Sequence, residues 1–153
     1  MIYDRWSLDA LDACQRDRPR LLHSTAMAYL YIALFSVAGA FARYMQSAAV
    51  QRLLGREFPF ATLSINVLGS FLMGFLFFVT LERVTMSPAL RTGILTGGLG
   101  AYTTFSTFSL ETLNLLEGGE VAKAVAYMTL SVILGVAAAM LGAYMARNLG
   151  VQR

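Results

Sequence analysis

The chain has 153 residues, of which 57% are hydrophobic and 14% charged, with a formal net charge of +3; an average soluble chain is about 25% charged. No Asp, Glu, Lys, Arg or His falls in 24–42, 58–81, 92–110 or 124–146, runs of 19, 24, 19 and 23 residues. Crossing a bilayer core takes about 20 mainly apolar residues, so this is the pattern of an all-α integral membrane protein with four transmembrane helices in a lipid bilayer, and it excludes a soluble enzyme, a nucleic-acid partner and a disulfide scaffold.

Residues 1–25 form a polar N-terminal tail, and 26–150 a single four-helix transmembrane domain. The tail mixes Asp4, Asp9, Asp12 and Asp17 with Arg5, Arg16, Arg18, Arg20 and His23. It lacks the basic start and apolar stretch of a secretory signal. Two readings stand side by side: a disordered, solvated tail with a weak surface helix around Trp6, Leu8 and Leu11, or a segment that is not translated because synthesis starts at Met27. Cys14 is the only cysteine. It can form no internal disulfide, and no apolar segment precedes it to suggest lipidation.

Span one is expected over 27–45, with Arg43 near its end where a long basic side chain can snorkel towards water. A short loop with Arg52, Arg56, Glu57 and Pro59 leads to span two, 60–81. Pro88 opens the approach to span three, 90–116. Gly118 and Gly119 turn the chain into span four, 121–147. Basic residues nearly balance across the membrane. Arg83, Arg91, Arg147 and Arg153 lie on the side of the termini; Arg52, Arg56 and Lys123 lie opposite, with Arg43 if it reaches that surface. Arg16, Arg18 and Arg20 tip the count towards cytoplasmic termini only if the tail is present.

Lipid offers no hydrogen-bond partners, so polar groups at depth must find theirs in protein or trapped water. Thr62, Asn66 and Ser70 recur every four residues and line one face of span two. Thr62 and Ser70 suit helix–helix bonding, whereas the Asn66 amide exceeds what packing needs. Tyr127, Ser131 and Gly135 repeat that spacing in span four. Tyr127 also fits an interfacial anchor, and Ser131 a bond to its own helix.

Span three is a poor sequence for an unbroken helix. Gly97, Gly98 and Gly100 lower helix propensity near its middle, and Thr103, Thr104, Ser106, Thr107 and Ser109 follow at once. A break is expected here, freeing carbonyls and amides to line a cavity or hold an ion. Phe105 and Phe108 lie inside the hydroxyl run, three residues apart. An aromatic ring has a positive edge, so ring edges beside hydroxyl and amide donors can hold a small anion that a full cationic charge would bind too tightly to release.

Gly100-Ala-Tyr-Thr-Thr-Phe-Ser-Thr-Phe108 with Glu111 closely resembles the signature of the Fluc/CrcB fluoride channels. The likeness spans 28–147 and includes Gly39-x-x-x-Arg43, Asn66 with Gly69-Ser-Phe-Leu-x-Gly74, and Tyr127 with Ser131. The resemblance implies an antiparallel, dual-topology homodimer with two pores at the subunit interface. It implies passive export of fluoride across a bacterial inner membrane, which lowers the concentration built up when hydrogen fluoride enters and ionises. Phe105 and Phe108 would contact fluoride through ring edges, and Asn66 would donate amide hydrogens. Tyr127 and Ser131 would form a polar track, with Thr104 also in the pore. Glu111 would lie at a pore mouth and Arg43 in or near a vestibule. The backbone carbonyls of Gly100 and Thr103, from both subunits, would hold a structural sodium ion at the dimer interface. Two positions depart from the family pattern. Ala101 stands where a second glycine is usual, which matters if that residue needs positive φ. Gly135 stands where a further serine is common.

The alternative function is a small dual-topology proton-coupled multidrug exporter. Such chemistry wants an acidic residue inside an early span, and spans one, two and four contain none. An intramembrane hydrolase would want a Ser–His or paired-Asp set. The only histidine is His23, and every aspartate precedes residue 24.

Overall fold

The computed structural model describes the backbone of residues 3–82 and 84–148, and side chains from Ser24 onward apart from Arg83. The backbone of the expected tail, Trp6, Leu8 and Leu11 included, is helical and continuous with α1; the expectations attached to the side chains of Cys14, Arg16, Arg18, Arg20 and His23, and to Arg83 and Arg153, lie outside what is described. All regular structure among the described residues is helical: α1 (Tyr3–Leu54), α2 (Phe60–Glu82), α3 (Pro88–Thr92), a π-helical turn (Gly93–Leu99), α4 (Gly100–Tyr102), α5 (Phe105–Glu117) and α6 (Val121–Asn148). Three stretches are long and apolar enough to cross a membrane unaided: Ser24–Leu54, α2 and α6. The fourth charge-free run is divided among shorter pieces.

α1 continues nine residues past the expected end at Met45. Nothing between Gln46 and Leu54 disfavours a helix, and the chain turns only at Gly55, whose φ is +77° and whose amide bonds back to the Gln51 carbonyl at 3.0 Å. Charge marks where a span leaves the lipid; it does not end a helix. α3 starts on a cap, the Ser87 hydroxyl accepting the Leu90 amide at 3.2 Å, with Pro88 in the first turn. α5 stops at Gly118 and Gly119, where Glu120 N–H reaches the Leu115 carbonyl at 2.8 Å.

α2 and α6 form the tightest seam. A Cβ on Gly74 would overlap the Ala139 carbonyl, and one on Gly142 would overlap the Phe71 carbonyl. Only hydrogen at both positions lets the backbones come this close, the usual basis of helix association in lipid. At the far end of α2, the Arg91 guanidinium lies 4.6 Å from the Phe77 ring centre and the Arg147 guanidinium 4.1 Å from that of Phe78. Each charge thus rests on an aromatic face at the membrane edge.

The span-three glycines are not where the helix breaks. Through Leu99 the chain keeps helical form as a π-helix, and Gly97 and Gly93 are spent on contact with Ile32 and Tyr31 of α1. The chain leaves helical geometry at Thr103 (φ −82°, ψ 161°) and Thr104 (φ −151°, ψ 118°). Threonine hydroxyls offer backbone groups a partner other than the helix ladder, so the break follows the hydroxyls. Ala101 lies within α4, and among the described residues only glycines take positive φ, so alanine is unstrained there.

Candidate functional site: a cavity beside the helix break

Asn66, in mid-α2, faces the break. Its Oδ1 accepts the Thr104 amide at 2.9 Å, and its Nδ2 donates to the Thr104 carbonyl at 3.0 Å. In a continuous helix the Thr104 amide would serve the Gly100 carbonyl. Asn66 diverts it. On the other side, the Thr104 hydroxyl caps α5 by accepting the Thr107 amide at 3.2 Å, the donor a continuous helix would aim at the Thr103 carbonyl. The carbonyls of Gly100 and Thr103 therefore both lose their helical donors, each through a different side chain.

Beside the break lies a cavity of about 410 Å³, lined by residues that include Asn66, Ser70, Thr104, Phe105, Phe108 and Ser131. None of its lining residues is ionisable. The rings of Phe105 and Phe108 are 5.6 Å apart between centres. Ser131, one turn beyond Tyr127 in α6, has its hydroxyl buried without a hydrogen-bond partner. A buried polar atom left single is uncommon and calls for an explanation, such as a ligand or water. Gly135 faces Ser70: a Cβ there would come 3.6 Å from the Ser70 hydroxyl oxygen. Ser70 thus brings a hydroxyl to the end of the stripe where Gly135 offers none.

A second cavity of about 400 Å³ opens between the α1–α2 loop and the end of α5, lined by Gln51, Arg56, Glu57, Glu111, Asn114 and Glu120 among others. Glu111 stands at its inner end. Its two carboxylate oxygens accept the Thr62 hydroxyl at 2.9 Å and the Tyr127 hydroxyl at 2.7 Å. Tyr127 is fully buried, and its ring centre lies 5.0 Å from that of Phe108, which lines the other cavity. Glu111, Tyr127 and Phe108 thus separate the two cavities.

The structure brings Asn66, Thr104, Phe105, Phe108 and Ser131 to one cavity, and joins Tyr127 to Glu111 beside it. Arg43 is half-buried on α1 and lines neither cavity. Gly100 is exposed, with open space where a Cβ would sit, and Phe105 is 77% exposed. Thr62, expected as helix–helix glue, bonds from α2 across to Glu111 of α5. No spacing signals that pairing, because the two residues are 49 apart in the chain.

Residues 30–143 match the family model described as CrcB-like protein, Camphor Resistance (CrcB). The chain belongs to the CrcB family. This CrcB chain is 65% identical over 118 residues to a protein of Acidithiobacillus ferrooxidans named fluoride-specific ion channel FluC, covering 77% of this chain and 94% of that one. A FluC of the same printed name from Magnetococcus marinus is 51% identical over 121 residues, covering 79% and 98%. One from Syntrophotalea carbinolica is 44% identical over 123 residues, covering 80% and all of its length. With its long apolar helices, the CrcB chain is a multi-pass membrane protein.

Proposed function

We propose that this chain is a fluoride-selective channel, passively exporting fluoride from the cytoplasm through the bacterial inner membrane. The observation that carries the mechanism is the unpartnered Ser131 hydroxyl, buried at a cavity rimmed by Phe105 and Phe108 and free of ionisable side chains. An ion entering there must exchange water for neutral donors. The donors left over can be counted. Asn66 has two amide hydrogens and gives one to Thr104, so one remains. Ser131 has its own, and the two phenylalanine rings offer edges. The hydroxyl hydrogens of Thr104 and Tyr127 are directed to Thr107 and Glu111, so these residues act by holding their neighbours unless they exchange partners.

The pore assembles as an antiparallel homodimer. One feature supports this: Gly100 and Phe105, on either side of the break, are open to the outside of a single chain; counted from Met27 on, the basic residues also nearly balance across the membrane. The broken run from Pro88 to Glu117 then serves as the fourth span, its interrupted backbone covered by the second copy. A sodium ion fits the carbonyls of Gly100 and Thr103, which lack their helical donors. Such an ion would supply positive charge beside the path without a lysine or arginine in it. Arg43 and Glu111 lie outside the narrow section, Glu111 at the inner end of the mouth cavity. Proton-coupled multidrug export has no corresponding support, because the interiors of α2 and α6 contain no acidic residue.

Purified protein in liposomes loaded with fluoride or chloride tests this. Fluoride is expected to leave quickly while chloride stays; vesicles that retain fluoride would overturn the assignment.

A further inference from the structure

A second polar connection reaches the break from α1. Tyr102, the last residue of α4, is buried, and its hydroxyl donates to Gln46 Oε1 of α1. Gln46 Nε2 in turn donates to the Ser64 hydroxyl of α2 at 3.1 Å, and Ser64 donates to the Ala61 carbonyl at 2.9 Å. The Tyr102 ring also lies against Gly69, where a Cβ would come 3.2 Å from Cδ1. From α1, Gln46 thus hydrogen-bonds to both α4 and α2.

The position of this tie matters more than its strength. α4 is the last turn of the continuous helical run from Pro88 and ends directly on Thr103. No helix follows it to hold its setting, and its last carbonyls are ones without amide partners. The phenol is a rigid arm anchored at its far end. Breaking the tie would leave the hydroxyl of the buried Tyr102 without its partner. The tie therefore selects one rotational setting of α4, and with it the direction of the carbonyls before the break and of Phe105 after it.

We infer that Gln46, through Tyr102, is a positioning residue that fixes the rotational setting of the helix break and so sets halide selectivity. This rests on fluoride conduction as proposed above. Neither residue lines the cavity containing Phe105, Phe108 and Ser131, so neither touches the permeating ion there.

The test uses the full chain in liposomes. The double variant Gln46→Leu/Tyr102→Phe removes the bond and leaves no orphaned polar group, so its thermal unfolding should match wild type. A loss of folded protein scales fluoride and chloride flux together, whereas misdirection of the break changes their ratio. The expected result is a rise in the chloride-to-fluoride flux ratio of about fivefold or more, the size of one net hydrogen bond. Tyr102→Phe alone should move the ratio in the same direction. A wild-type ratio in both variants overturns the inference. So does a fall in both fluxes that tracks lost thermal stability with the ratio unchanged. The channel assignment is judged separately, on fluoride efflux from wild-type vesicles, and the positioning role on variant against wild type.

Discussion

Asn66 and Thr104 are joined twice, amide to side-chain oxygen at 2.9 Å and side-chain nitrogen to carbonyl at 3.0 Å. The carboxamide stands in for a stretch of helix at the point where the helix is missing. It satisfies two backbone groups that a bilayer would otherwise leave unpaired, each costing about 1–3 kcal/mol.

Replacing Asn66 by leucine should therefore lower both stability and flux. The expected loss is about 2 kcal/mol or more in thermal unfolding, with fluoride efflux abolished. Asn66→Asp keeps the oxygen for the Thr104 amide but removes the donated hydrogen and adds a negative charge. It should also unfold more easily than wild type, because a carboxylate oxygen then faces the Thr104 carbonyl, and it should conduct poorly. Normal efflux in either variant would argue against Asn66 lining the path.

Ser131→Ala should separate stability from function in the opposite sense. Removing a buried hydroxyl that has no protein partner costs nothing in the folded chain and can stabilise it. Fluoride flux should fall about tenfold, on the scale of one good hydrogen bond to an anion. Unfolding and efflux measured on the same preparation check this.

Phe105→Ile and Phe108→Ile keep apolar volume but remove the ring edges. Each should cut fluoride efflux by about tenfold or more while the protein still migrates as wild type in size-exclusion chromatography. Unchanged flux in both variants would refute the ring-edge role.

Two glycine substitutions should diverge. Gly142→Val drives side-chain atoms into the Phe71 carbonyl and should abolish folded protein. Gly100→Ala meets open space in the single chain and should leave the protomer intact. Its expected defect is in dimer formation and in stabilisation by sodium, read by cross-linking and by thermal unfolding with and without the ion.

Much of this was legible before any coordinates. The charge-free runs mark the spans because lipid tolerates no unpaired charge, and the expected 60–81 differs from α2 by one residue. The break lies at Thr103 and Thr104, at the middle of the expected span 90–116 and in its hydroxyl run. Gly97 lowers helix propensity, but its small size serves the approach to Ile32, and Thr103 and Thr104 open the ladder. Long-range partners left no trace in spacing. Thr62 with Glu111, and Gln46 with Tyr102, lie 49 and 56 residues apart and meet only through helix packing. Tyr127 was read as track or anchor, and its bond to Glu111 needed the α5–α6 turn to be folded first.

The π-helical turn at Gly93–Leu99 has a consequence for aim. Such a turn carries an extra residue relative to an α-helix, and each residue advances the azimuth by about 100°. Everything downstream, from Tyr102 through the phenylalanines, is swung by that increment relative to α3. Rewinding the same residues as an ordinary α-helix would point the threonines and rings roughly a quarter-circle away from α2, whereas deleting a single residue from the turn would restore ordinary winding and leave them facing it. The opening therefore faces its partners by virtue of a local surplus of backbone, upstream of Thr104, Phe105 and Phe108.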